Sequence, residues 1–251
     1  MQIDLLTLFP EFFASPLSQS MLKRAQDQGA LTIRVLNLRD YIKDRHQVAD
    51  DRPFGGGPGM VMKIEPLVMA IRAVRLEDPA TRVILLSPAR QVFNQDQARQ
   101  LAGLSHLMLI CGHYEGVDDR IRYYVDGMLS MGDYILTGGE IPALAVLDAL
   151  ARLLPGVLGG EGATVEESFE DGLLEYPHYT RPRVFEGREV PAVLLEGDHG
   201  RVARWRRQEA LRRTLVHRPD LLAKTVLSQE DREFIRSLTE TPSEDIDPSS
   251  K

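Results

Sequence analysis

The sequence predicts an α/β protein built on a mainly parallel sheet, with a small helical domain at its C-terminal end. Two observations carry this. Up to Leu154, apolar runs of strand length alternate with stretches of helical period; beyond it the chain turns loop-like and then into a basic helical segment. Parallel neighbours need crossover connections, and helices supply them, so the alternation implies a sheet with helices on both faces.

The elements follow in order. Gln2 to Phe9 reads as a strand, Ser18 to Gln28 as a helix and Leu31 to Leu38 as a strand. A helix over Pro66 to Val74 precedes a strand over Arg82 to Leu86 and a helix over Gln95 to Ala102. A strand at His106 to Cys111, a helix near Val117 to Val125 and a helix at Pro142 to Leu154 complete the series. Pro155 and the glycines at 156, 159, 160 and 162 then stop the helix, and a polar segment continues to about Gly197. Arg201 to Arg218 is helical in pattern, with Trp205, Gln208, Leu211 and Leu215 as a rough apolar stripe that should anchor it. The end, Pro242 to Lys251, reads as a frayed tail.

Composition limits the function classes. The 251 residues are 43% hydrophobic and 27% charged, which suits a folded globular chain of one large domain plus a small appendix. No apolar stretch approaches the ~18 residues of a membrane span, and MQIDLLTLFP reads as a buried strand rather than a leader, so a cytoplasmic location is expected. The single cysteine, Cys111, ends an apolar strand and is expected to be an inert buried thiol. His178 and His199 lack the further partners that a zinc site needs, so no metal ligands are assigned. The net charge of -7 argues against a polyanionic partner until its distribution is examined. Arg201 to Arg218 holds seven arginines against Glu209 alone, or +6, which leaves -13 for the rest of the chain. A helix so basic inside an acidic protein faces a polyanion more readily than it serves as surface decoration.

Ligands of parallel sheets sit beyond the carboxyl ends of the strands. Three segments lie on that rim: Leu85-Leu86-Ser87-Pro88, Cys111-Gly112-His113-Tyr114-Glu115-Gly116, and Ser130 to Glu140 with Gly132, Gly138 and Gly139. Glycine backbones, an apolar slot from Leu86, Ile135 and Leu136, and the acid Glu115 together suit an adenosine that bears a positive group. The loop Asp51-Arg52-Pro53-Phe54-Gly55-Gly56-Gly57-Pro58-Gly59-Met60 could approach an anion, although it is no Walker A loop and is equally readable as a surface loop. Tyr176, His178, Tyr179 and Arg181, set among prolines, make an aromatic and basic surface suited to unpaired bases.

These strings, with Gly132-Asp133-Tyr134-Ile135-Leu136-Thr137-Gly138-Gly139-Glu140 and Pro177-His178-Tyr179-Thr180-Arg181-Pro182, resemble the bacterial tRNA (guanine-N1)-methyltransferases, in order and spacing, from the first strand to about Leu222. The resemblance implies a deep trefoil knot of the SPOUT kind in the sheet, and a homodimer with its active site between subunits. It divides the chain into a knotted cofactor-binding domain (1–158), a mobile interdomain linker (159–179), a helical tRNA-binding domain (180–240) and the tail (241–251). It implies S-adenosylmethionine as methyl donor, lined by Leu86, Ser87, Pro88, Gly112, Tyr114, Glu115, Met131, Gly132, Asp133, Tyr134, Ile135, Leu136, Gly138, Gly139 and Pro142. The implied reaction forms 1-methylguanosine at the guanosine immediately 3′ of the anticodon. The family's catalytic arginine matches Arg152. Its general base is an Asp directly before Ser-Phe, and here that position is Glu167, with Asp171 as the fallback. Arg45, His46, Asp50, Arg52, His178, Arg181, Arg201, Arg204, Arg207 and Arg212 are the expected tRNA contacts. Magnesium dependence is associated with the family, but no ligand spacing here arranges a site. The competing readings are a noncatalytic RNA-binding dimer and a knotted methyltransferase acting on another RNA position or a ribose 2′-hydroxyl.

Overall fold

The computed structural model describes residues 1–159 and 167–240, and the chain divides into two compact units, Met1–Gly160 and Glu161–Lys251. Residues 160–166, which include Glu166, and the tail at 241–251 lie outside the described residues.

In the first unit the order is β1 (Gln2–Thr7), α1 (Ser20–Asp27), β2 (Thr32–Asn37), β3 (Asp50–Asp51), β4 (Val61–Met62), α2 (Ile64–Glu77), β5 (Arg82–Leu86), α3 (Gln95–Ala102), β6 (His106–Cys111), β7 (Gly127–Leu129) and α4 (Glu140–Ala151). Five strands form one parallel sheet in the order β2-β1-β6-β5-β7. Side chains alternate across it as a period of two requires. Leu107, Leu109 and Cys111 of β6 pack with α1, α3 and α4, whereas Met108 and Ile110 pack with α2. All six residues of β6 are therefore buried, and the run reads as continuously apolar because both faces are covered.

Each predicted element of this series has a counterpart except one. The segment near Val117 to Val125 holds a five-residue 3-10 turn, Asp119–Tyr123, capped by the Asp118 side chain on the Arg120 N–H, and only Ile121 of it is buried. One buried anchor and two adjacent tyrosines give a full α-helix little to gain there. The short edge strand β7 and the β3–β4 hairpin carry no run long enough to predict. The glycine loop 52–60 is the connection of that hairpin.

At the opposite end of the strands from the rim, the fully buried Asp4 accepts from Arg34 Nε (2.7 Å) and Nη2 (2.6 Å) and lies 2.9 Å from His106 Nε2. This ties β1, β2 and β6 together in register.

The second unit contains β8 (Val184–Phe185), β9 (Arg188–Glu189), α5 (His199–His217), α6 (Pro219–Leu222) and α7 (Gln229–Glu240). Its core is Leu173, Ala210 and Leu211, joined by Leu222, Leu227, Phe234 and Ile235. Two expectations change here. The expected linker, 159–179, reaches past the start of the second unit at Glu161, and its Leu173 is buried in this core. The anchoring face of α5 is Ala210, Leu211 and Thr214, while Trp205, Gln208 and Leu215 are only half-buried. Thr214 was invisible as a core residue because its hydroxyl needs partners, and it has them: Ala210 O and the Leu174 N–H. No helix among the described residues is long and apolar enough to cross a membrane.

Candidate functional site

The three rim segments converge on one cavity of about 480 Å³ at the carboxyl ends of β5, β6 and β7. Every expected cofactor residue lines it except Asp133, which is exposed between Gly132 and Tyr134. Backbone bonds join the segments: Ser87 N donates to Leu129 O (2.9 Å), Phe93 N to Ser130 O (2.7 Å) and Gly139 N to Gly112 O (2.8 Å). The last contact needs glycine. A Cβ on Gly139 would lie 2.6 Å from Cys111 Cα, and one on Gly138 would lie 2.6 Å from His113 Nδ1.

Residues beyond the expected cofactor set also line the cavity, among them His113 and Thr137. Nδ1 of His113 is buried and has no hydrogen-bond partner among the described residues, which costs free energy unless a ligand supplies one. No pattern in the sequence distinguishes this histidine; only the close approach of Gly138 does. The Cys111 thiol is pushed well up, first by burial and then by the nearby Glu140 carboxylate, so it is no nucleophile at neutral pH. Glu140 is buried and accepts from Thr7 Oγ1 at 2.7 Å. Burial, followed by the charge and hydrogen bond of Asp50, raises the Tyr114 phenol. Asp50, expected to touch RNA, stands beside the cavity-lining Tyr114.

Around the β3–β4 hairpin lies a second, open depression of about 1230 Å³. Arg52 and the fully exposed Phe54 line it with Lys43 and Lys63, while Arg45 and His46 are exposed in the preceding loop. Arg152 follows α4 as its C-cap and is half-buried, also in the first unit.

In the second unit Glu167 lines a cavity of about 340 Å³ with Asp171, Glu175, Tyr176, His199, Arg206 and Arg207. Tyr176 and His178 stand with ring centroids 4.8 Å apart, and the Arg206 guanidinium lies 4.7 Å over the Tyr176 ring. His178 pairs with Glu175 at 2.7 Å, and Arg181 is exposed. Along α5, Arg201 pairs with Glu196, Arg212 lies 3.3 Å from Glu209, and Arg204 is exposed. Arg207 departs from its expected place on a phosphate-facing surface. It is half-buried and binds Asp231 through Nε (3.1 Å) and Nη2 (2.9 Å), so its charge is used inside the unit. Among the described residues no group of three or more His, Cys, Asp or Glu is placed to hold a metal ion.

The profile of the family described as tRNA (Guanine-1)-methyltransferase TrmD matches residues 1–224. A tRNA (guanine-N(1)-)-methyltransferase of Chloroflexus aggregans is 58% identical over 89% of this chain and 88% of its own length. Relatives with the same name from Moorella thermoacetica and Dictyoglomus turgidum are 54% and 52% identical; they cover 95% and 98% of this chain and 97% and 100% of their own lengths. With a match across most of its length and relatives at more than half identity, the chain belongs to the tRNA (guanine-1)-methyltransferase TrmD family.

Proposed function

We propose that this protein methylates N1 of the guanosine immediately 3′ of a tRNA anticodon, with S-adenosylmethionine as donor. The observation that carries the reading is the single cavity lined by three rim loops, two of them glycine-bearing, in a chain whose relatives are named tRNA (guanine-N(1)-)-methyltransferases. S-adenosylmethionine supplies an electrophilic sulfonium methyl. The cavity fits such a group: apolar walls at Leu86, Ile135 and Leu136 suit an adenine ring, Glu115 complements a cation, and the buried His113 Nδ1 awaits a polar partner. Gly112, Tyr114, Gly138, Gly139 and Pro142 would complete the enclosure.

The chain's own groups then divide the work. Guanine N1 carries a proton and a delocalised lone pair, so a base must take that proton as the nitrogen attacks. Glu167 is that base in our reading; Glu and Asp have nearly the same acidity, and the extra methylene lengthens the reach. The charge that develops on O6 calls for a cation, and Arg152 supplies it. Arg45, His46, Arg52, His178 and Arg181 would hold the flipped guanosine and its neighbours, and the exposed arginines of α5 would grip phosphates. Magnesium has no cluster of suitable donors among the described residues, and the steps above are those of protein groups.

The trefoil knot, the homodimer and the RNA-binding role of the second unit belong to the same proposal. The close passage of Gly139 against Cys111 and Gly112 supports a threaded chain at the cavity. Exposed apolar side chains at Phe9, Phe12, Ile135 and Ile141 offer surface to a second copy. Digestion of reacted tRNA to nucleosides, with mass identification of the methylated one, tests the reading. 1-Methylguanosine supports it; a 2′-O-methyl nucleoside or another methylated base replaces it, and donor binding without product points to a noncatalytic RNA-binding dimer.

A further inference from the structure

Glu167 opens a turn whose shape is fixed from outside by the C-terminal helices. Within the turn, Phe169 N donates to Leu173 O (2.8 Å), and Ser168 Oγ accepts from Glu175 N (3.0 Å). Phe169 has φ +76°, a left-handed conformation that a bulky L-residue holds only when its surroundings over-determine it.

Side chains on α5, on α7 and in the turn that follows α6 do so. The fully buried Thr214 accepts from Leu174 N (2.8 Å) and donates to Ala210 O (2.6 Å), so its hydroxyl is used in both directions. Thr225 shares its hydroxyl hydrogen between Gly172 O (2.8 Å) and Leu221 O (2.9 Å). Gly172 has φ +73°, and a Cβ there would lie 2.6 Å from Thr225 Oγ1, so this anchor requires glycine opposite it. Arg207 reaches Asp171 at 3.7 Å while Asp231 holds its other nitrogens. Asp231 in turn accepts from Ser228 N (3.0 Å) and donates its own N–H to Ser228 Oγ (3.1 Å), a reciprocal cap at the start of α7.

We infer that Thr214, Thr225 and the Arg207–Asp231 pair are positioning residues for the Glu167 carboxylate, which makes the C-terminal helices a mount for the general base as well as an RNA surface. The inference rests on the reading of Glu167 as that base. It also assigns Asp171 a role: it is an anchor of the turn, paired with Arg207, and not a second base.

The test uses the full-length protein and unmodified tRNA transcript. Thr214→Val and Thr225→Val remove one anchor each at nearly constant volume, and Thr214→Ser and Thr225→Ser keep the hydroxyl. The expected result is a fall in kcat of about 10- to 100-fold for each Val variant, as for a catalytic group displaced by an ångström or less. KM for tRNA and cofactor affinity should stay within about twofold of the parent, and the Ser variants should recover most of the rate. Thr225, which is only half-buried, serves as the second probe if Thr214→Val does not fold at the assay temperature. An unchanged kcat in the Val variants beside an inactive Glu167→Gln overturns the mount and leaves the base intact. A loss confined to KM, or Ser variants as slow as Val, also overturns it. Full activity of Glu167→Gln removes the base reading itself and the inference with it.

Discussion

Replacement of Gly139 by alanine tests whether the rim cavity is the cofactor site. The added Cβ would stand 2.6 Å from Cys111 Cα, 3.0 Å from Gly112 N and 3.1 Å from Cys111 C. The worst contact is short of an ordinary 3.4 Å approach by about 0.8 Å. All three atoms are backbone, and Cys111 is locked beside Leu86 in the sheet, so no side chain can swing aside. The first turn of α4 must retreat instead, stretching the 2.8 Å bond from Gly139 N to Gly112 O. Overpacking of this kind costs about 1–3 kcal/mol and a weakened hydrogen bond about 1 more, which together lower Tm by roughly 5–10 °C. The retreat also moves Gly138 and Pro142 in the cavity wall, and a cofactor that loses about 1.4 kcal/mol of contact there binds tenfold more weakly. Calorimetric titration with S-adenosylmethionine and a thermal melt measure both effects. Gly103→Ala is the control, because its Cβ would meet only Gln100 O at 3.5 Å and Arg99 O at 3.8 Å. Parental cofactor affinity in Gly139→Ala would refute the assignment of the cavity; a Tm unmoved from the parent's would refute the steric argument.

Three further outcomes are expected. Glu167→Gln should lower kcat by about 10²- to 10⁴-fold with cofactor affinity retained, and Glu167→Asp should keep substantial activity; single-turnover methyl transfer measures both. Burial alone would raise the Asp4 carboxyl, but hydrogen bonds from Arg34 and His106 outweigh it and hold the group below its usual 3.8. A depressed carboxylate stabilises the fold above its unfolded value and ceases to as pH falls below about 3.8. Asp4→Asn leaves Arg34 partly exposed and still paired with Glu77, so it should cost about 1–3 kcal/mol near neutrality and flatten the acid arm of the stability curve, as read by urea unfolding across pH. Neutralising Arg201, Arg204 and Arg212 together should weaken tRNA binding and reduce its dependence on log salt by up to about 0.9 per lost phosphate contact, whereas Arg207→Gln should lower Tm and leave that slope nearly unchanged.

Two strands buried on both faces were legible in the sequence to the residue. Arg82–Leu86 and His106–Cys111 have the predicted bounds because α-helices cover both sides of them and every position after the first in each carries a buried apolar side chain. Gly127–Leu129 was not legible, since three residues at a sheet edge leave no periodicity to read. The rim was found by a topological rule, which is why the cavity-lining loops were expected together. His113 was missed because its distinguishing feature, an unpartnered buried nitrogen, exists only after Gly138 has been brought against it.

Charge shows the same boundary between pattern and partner. The +6 of Arg201 to Arg218 points to a polyanion, but a count along the chain cannot see that Asp231, beyond the segment, neutralises Arg207, or that Arg206 lies over Tyr176. Arg201, Arg212 and Arg218 likewise already face Glu196, Glu209 and Asp220. A phosphate that reaches one of these three must displace a carboxylate, so part of its attraction is exchange between anions and not new neutralisation. The displaced acid regains its own counterion, which offsets one released from the RNA. The salt dependence of tRNA binding should consequently be shallower than seven arginines would give, and a slope that counts all seven would mean that these pairs open completely in the complex.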